Sequence, residues 1–174
     1  MQETQTYIKL KNKPKNNYPE YIICHHSGGT DANPLLDTSH HTAQMMETWH
    51  LSKGWQGLGY QYVIHKNGEI WRGRPEDYEG AHTFGYNTKS IGICLSGNFD
   101  ATLPTKEQEN ALVGLLGAIR GRFMIPLDKI APHRTFVNKT CYGKLLKDDW
   151  ARNLIATPNV VRAKQLLEEA LKLL

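Results

Sequence analysis

The chain has 174 residues, 40% hydrophobic and 22% charged, which suits one ordinary core and excludes both wholesale disorder and two comfortable domains. Its 21 basic and 17 acidic side chains leave a net charge of +4, a mild bias toward an anionic partner, with no basic run that reads as a nucleic-acid arm. No apolar run approaches the ~20 residues of a membrane helix, and the three cysteines, Cys24, Cys94 and Cys141, are too few and odd in number for a disulfide scaffold.

Residues 1–18 read as a polar tail or a loosely docked arm, without the apolar stretch of a signal peptide. The chain is therefore expected either not to use that export route or to have had its leader removed. Residues 19–174 read as one domain. Tyr21–Cys24 suits a buried strand and ends at His25-His26-Ser27-Gly28-Gly29, where glycines permit a sharp turn. Thr38 or Ser39 is placed to cap a helix running to about Lys53, with Thr42, Met45, Met46 and Trp49 toward the core. Tyr60–His65 alternates like a strand, Asn67-Gly68 makes a hairpin turn, and Ile70–Arg72 returns as its partner.

From Gly73 to Lys89 there is no periodicity, and long ordered loops of this kind often carry binding work. Ser90–Leu95 is a further buried strand, and a Cys24–Cys94 disulfide stays open. Thr105 with Gln108 forms a capping box for a helix that places Leu112, Leu115, Leu116, Ile119 and Phe123 on one face. Lys129–Ala131 reads as a short strand, and Thr157-Pro158 opens a last helix. Strands interleaved with about three helices imply a single α/β domain.

His133 and Cys141 lie eight residues apart in a segment with little helical character. A loop can bring such a pair onto one ion. Zinc accepts neutral imidazole and thiolate, and a catalytic site keeps three protein ligands and one open position. Spacing alone also allows a surface histidine beside an ordinary cysteine. It allows a Cys-His hydrolase too, in which Lys139 lowers the thiol pKa.

The order of short motifs goes further. Ile22-Ile23-Cys24-His25-His26-Ser27, Gly57-Leu58-Gly59-Tyr60-Gln61-Tyr62, Asn67-Gly68-Glu69, Gly80-Ala81-His82, Gly85-Tyr86-Asn87 and Ser90-Ile91-Gly92 follow one another. Pro132-His133, Lys139-Thr140-Cys141, Gly143-Lys144 and Asp149-Trp150 close the series. Together, from about Tyr21 to Ile155, they resemble the type 2 N-acetylmuramoyl-L-alanine amidases, a family that includes phage lysozyme-type amidases and peptidoglycan recognition proteins.

The resemblance implies a central, mixed, mostly parallel sheet flanked by helices, with Zn2+ in a surface groove. His25, His133 and Cys141 match its metal ligands. The match takes His25 rather than His26 from its place in the Ile23-Cys24-His25-His26-Ser27 stretch; because neighbours on a strand point to opposite faces, only one of the pair is expected to reach the metal, which leaves His26 to support a ligand or to packing. Tyr60 and Lys139 match its catalytic positions: Tyr60 to place water or carbonyl, Lys139 to stabilise an oxyanion. Some members carry a carboxylate where this chain has Cys94; phage-type members also lack it.

His82 and Asn87 match positions near the groove. Arg74, whose planar fork suits a peptide carboxylate, and Trp71 complete the candidate substrate contacts. The implied activity is zinc-dependent hydrolysis of the amide between N-acetylmuramic acid and L-alanine, with peptidoglycan or muropeptides as partner. No nucleic acid and no membrane insertion are expected, and one compact domain suggests a monomer. Action would be on the cell wall, by a secreted or periplasmic protein or a phage-type lysin lacking a signal peptide. The alternative on the same fold is a non-catalytic peptidoglycan receptor, although receptors of the family usually lose a metal ligand, most often the cysteine, that this chain keeps.

Overall fold

The computed structural model describes residues 1–156, so the expected last helix lies outside the described residues. A six-stranded sheet runs in the order β1-β4-β3-β5-β2-β6, with β1 at Gln2–Glu3, β2 at Tyr21–His26, β3 at Tyr62–Ile64, β4 at Ile70–Arg72, β5 at Ser90–Leu95 and β6 at Ile130–Pro132. Among the described residues only the β3–β4 hairpin is antiparallel; every other pairing is parallel. The hairpin turns through Gly68 at φ 81°, a conformation that glycine adopts without a Cβ penalty. This is the mixed, mostly parallel α/β sheet expected from the sequence.

Four α-helices accompany the sheet among the described residues: α1 Gln5–Leu10, α2 Ala43–Ser52, α3 Lys106–Phe123 and α4 Trp150–Ala156. The capping box of α3 forms as expected, Thr105 accepting from the Gln108 N–H and Gln108 reaching back to the Thr105 N–H. Leu112, Leu115, Leu116 and Ile119 then pack on Ile22, Cys24, Ile64, Ile91, Ile93 and Leu95, one face of the sheet. Each such fully buried aliphatic side chain stabilises the fold by roughly 1.5–3 kcal/mol.

The opposite face carries a smaller core of Ala43, Met46, Leu58, Val63 and Cys94. Cys24 and Cys94 thus belong to opposite faces, and both are free thiols. The pleat, which turns neighbouring side chains apart, excludes the disulfide that sequence left open.

Helix α2 corrects the sequence reading. Its cap is Thr42, which accepts from the Met45 N–H, and its buried residues are Ala43, Met46, Glu47 and His50. Met45 and Trp49 face outward, 46% and 55% exposed. The core face carries two polar residues because each has a partner. Glu47 Oε1 accepts from both the backbone N–H and the hydroxyl of Thr6, and His50 Nδ1 accepts from the Gly59 N–H at 3.1 Å. Those partners remove the penalty of burying polar groups.

Thr6 also ties down the N-terminal segment, which sequence gave as a tail or loosely docked arm. Its hydroxyl oxygen accepts from the Leu58 N–H at 2.8 Å. Strand β1 pairs with β4, and Leu10 is buried.

Candidate functional site

The site forms where two neighbouring parallel strands end. β2 and β6 pair with Cys24 opposite Pro132, so the next residues, His25 and His133, emerge side by side with ring centroids 4.3 Å apart. The carboxyl ends of parallel strands are the usual place for a ligand in an open α/β sheet. His25 points to the α2 face beside Tyr60, ring centroids 5.1 Å apart. His26 points to the opposite face, where its Nδ1 accepts from the Phe99 N–H at 2.9 Å. The two histidines thus point to opposite faces of the sheet, as expected of neighbours on a strand.

Cys141 arrives on the loop after β6. Its Sγ lies 3.7 Å from His25 Nδ1, and donor atoms of His25, His133 and Cys141 all fall within 4.8 Å of one another. Zinc–nitrogen and zinc–sulfur bonds of about 2.0 and 2.3 Å at a tetrahedral angle separate the two donors by about 3.5 Å. The three residues could hold a metal ion without rearrangement of the strands.

The loop that carries Cys141 is fastened by two residues that sequence reading missed. The Arg134 N–H donates to the Cys141 carbonyl at 2.6 Å. Its guanidinium donates to the carbonyls of Gly143 and Leu146 at 2.6 Å each, to that of Thr140 at 3.4 Å, and to Asp148 at 2.5 Å. Asp100 accepts from the Thr140 hydroxyl at 2.8 Å and the Lys144 N–H at 2.7 Å. An arginine beside a candidate ligand was the only sequence signal, and nothing in the local pattern showed which carbonyls it would reach.

Burial sets the protonation of the donors. It pushes the His133 imidazole down to about 4, helped by the Lys139 charge. It holds His25 well below the usual histidine range, with His82, His133 and His26 adding to the effect. Both rings are neutral near pH 7 and keep a lone pair. Burial raises the Cys141 thiol to about 12, while Lys139 and Arg134 pull the other way. Tyr60 is raised well above 10, first by burial and then by Cys94 and Cys141. Its phenol therefore stays protonated and able to donate.

The structure brings His25, Tyr60, His82, His133 and Cys141 together, with exposed Lys139 near enough to act on His133 and Cys141. Of the other expected substrate contacts, His82 and Arg74 are buried, while Asn87 and Trp71 are half-buried. His82 is 9% exposed, and its Nδ1 lies 3.1 Å from His25 Nε2. Asn87 folds the loop, its Oδ1 accepting from the N–H groups of His82 and Thr83 at 2.9 Å each. Arg74 is buried and donates from Nε to the Leu58 carbonyl at 2.7 Å and from Nη1 to the Glu79 carbonyl at 2.9 Å. Trp71 stacks on His65, ring centroids 5.8 Å apart, and packs with Tyr60 on the smaller core.

Comparison with known proteins agrees with this geometry. The family model described as N-acetylmuramoyl-L-alanine amidase matches residues 15–144. The endolysin of Enterobacteria phage K11 is 34% identical over 121 residues, covering 67% of this chain and 76% of that protein. Peptidoglycan-recognition protein LB of Drosophila melanogaster is 32% identical over 126 residues, 71% of this chain and 54% of that protein. Among solved structures, the endolysin amidase LysCS from Clostridium intestinale aligns with a TM-score of 0.68 at 29% identity, covering 82% of this chain and 86% of that one. A match over most of the chain, on a sheet whose paired strand ends bring His25 and His133 together, places the protein in the N-acetylmuramoyl-L-alanine amidase family.

Proposed function

We propose that the protein is a zinc-dependent peptidoglycan amidase that hydrolyses the amide between N-acetylmuramic acid and the L-alanine of the stem peptide. The observation that carries this reading is the convergence of two neutral imidazoles and one cysteine within 4.8 Å, in a chain of the amidase family. Two nitrogens and one sulfur are a donor set that zinc accepts, with a fourth position left for solvent or substrate. Zinc, when bound, supplies Lewis acidity toward the amide carbonyl and acidifies water.

His25, His133 and Cys141 hold the ion in this reading. Tyr60, partly buried beside His25 and kept protonated, donates a hydrogen bond to the oxygen on which negative charge develops. Lys139, exposed on the loop between the ligands His133 and Cys141, adds a positive charge on the same side. Arg134 and Asp100 keep that loop in register and take no part in proton movement. His82 contacts His25, and Asn87 and Arg74 hold nearby loop backbone in place.

The relation to a peptidoglycan-recognition protein favours a second reading, in which the fold binds cell-wall fragments without cutting them. The retained cysteine and the protonated Tyr60 favour hydrolysis. Mass spectrometry of defined muropeptides, incubated with protein and with or without a chelator, separates the two. Chelator-sensitive release of free stem peptide from the lactyl carbonyl is expected. Binding of muropeptide with no release would establish the receptor reading, and release that survives complete metal removal would remove zinc from the mechanism.

A further inference from the structure

We propose that His82 is a positioning residue that fixes the tautomer of His25, through a one-way chain of hydrogen bonds ending on the Tyr86 carbonyl. The proposal rests on the reading of His25 as a metal ligand and assigns His82 to the protein's interior rather than to the substrate.

The direction of the chain follows from its far end. Ser90 Oγ donates to the Tyr86 carbonyl at 2.7 Å. A hydroxyl has one proton, so toward His82 Nε2, 3.4 Å away, Ser90 can only accept. Nε2 of His82 therefore carries hydrogen. The ring's polar partners are His25, Thr83 and Ser90, none of them acidic, so a buried imidazolium has no counter-charge there. A neutral imidazole has one N–H, which makes His82 Nδ1 an acceptor.

His25 Nε2 lies 3.1 Å from that acceptor and must be the donor. The Thr83 hydroxyl, 3.0 Å from the same nitrogen, donates to it as well and favours the same form. His25 is left with a bare Nδ1, the nitrogen 3.7 Å from Cys141 Sγ. A histidine that binds a metal through one nitrogen is generally oriented by a hydrogen bond from the other; here a second histidine supplies it.

The ring of His82 occupies a socket built for it. A Cβ on Gly80 would come within 2.4 Å of His82 Cδ2, and one on Gly92 within 2.5 Å. Any side chain at either position would displace the imidazole. Asn87 Oδ1 clamps the backbone N–H groups of His82 and Thr83. Gly80, His82, Asn87, Ser90 and Gly92 are thus parts of one device that presents the His25 lone pair.

Long-range 1H–15N correlation NMR on metal-free protein carrying 15N-histidine tests the chain with no substitution. Both His25 and His82 should show a bare Nδ1 and a protonated Nε2; a protonated Nδ1 on His25 would overturn the proposal. Chelator competition then reads zinc affinity. Ser90→Ala and His82→Leu should weaken it by about 10–100-fold. His82→Gln, whose amide oxygen can still accept from His25, should stay nearer to the unaltered protein. Unchanged affinity in both Ser90→Ala and His82→Leu would sink the proposal. If the unaltered protein takes up no zinc at all, the functional reading fails, while the tautomer pattern still decides the hydrogen-bond chain.

Discussion

His25 sits on a strand paired on both sides, whereas His133 and Cys141 ride on a loop fastened mainly by one arginine and one aspartate. The strand side is fully enclosed: His25 is 1% exposed and is held through His82. The loop side is half-buried, and its fastenings run mostly from the Arg134 and Asp100 side chains to backbone groups. The difference teaches that the enclosed side sets the direction of a lone pair, and the loop side sets how closely the remaining donors approach. Damage to the two sides should therefore read out differently.

The largest effect is expected from Cys141→Ser. Bound zinc should fall from about one per chain to near zero, with muropeptide cleavage lost, as measured by metal analysis and product mass spectrometry. Full retention of both would break the assignment of the loop ligand. Lys139→Ala comes next, with turnover reduced on the order of 10²-fold while zinc stays. Equal loss of zinc and turnover would show that Lys139 supports the loop instead of the reaction.

Arg134→Met should lower stability by about 2–4 kcal/mol in urea unfolding, because it strips partners from three carbonyls. It should also loosen zinc by about 10–100-fold, leaving the His25 tautomer unchanged. A shifted tautomer would show that the two sides are coupled.

Protons sharpen the comparison further. With both imidazoles neutral and the Cys141 thiol raised to about 12, zinc uptake at pH 7 should release at least about one proton per chain, one from the loop cysteine and a further fraction from water in the open position. Titration calorimetry in buffers of different ionisation enthalpy checks this. Release near zero would leave the thiol off the metal.

The smallest effect is a pH slope in stability. Burial pushes His26 and His50 down to about 4. The unfolded chain takes up protons at these residues below about 6.5, while the folded chain does not until about 4. The unfolded state then holds more protons, so stability present above about pH 6.5 falls as the pH drops toward 4. Urea midpoints at pH 7 and pH 5 should differ in that direction, and His50→Gln should flatten the slope.

Much of the fold was legible because pattern and turn chemistry agreed: the β2 run, the Asn67-Gly68 hairpin, and the Thr105–Gln108 capping box all form. The three donor residues were legible through the order of motifs, which spacing alone could not rank. Helix α2 was misread because hydrophobicity assigns Met45 and Trp49 to the core, while the actual core face carries Glu47 and His50 with distant partners. For His82 and Asn87 the resemblance gives a place near the groove, and for Arg74 the planar fork suggests a carboxylate partner, but neither signal shows what these residues touch inside the protein. Their partners are backbone groups and a neighbouring ring, which only three-dimensional packing reveals.

The docked N-terminal segment bears on how this protein can be handled. The family match starts at residue 15, an inviting place to shorten the gene. Such a cut would remove Thr6, whose N–H and hydroxyl both serve Glu47, and would strand a carboxylate inside α2's inner surface. A clone trimmed to the matched stretch should express poorly or melt early, and replacing Glu47 with glutamine or leucine in the same clone should recover part of the loss.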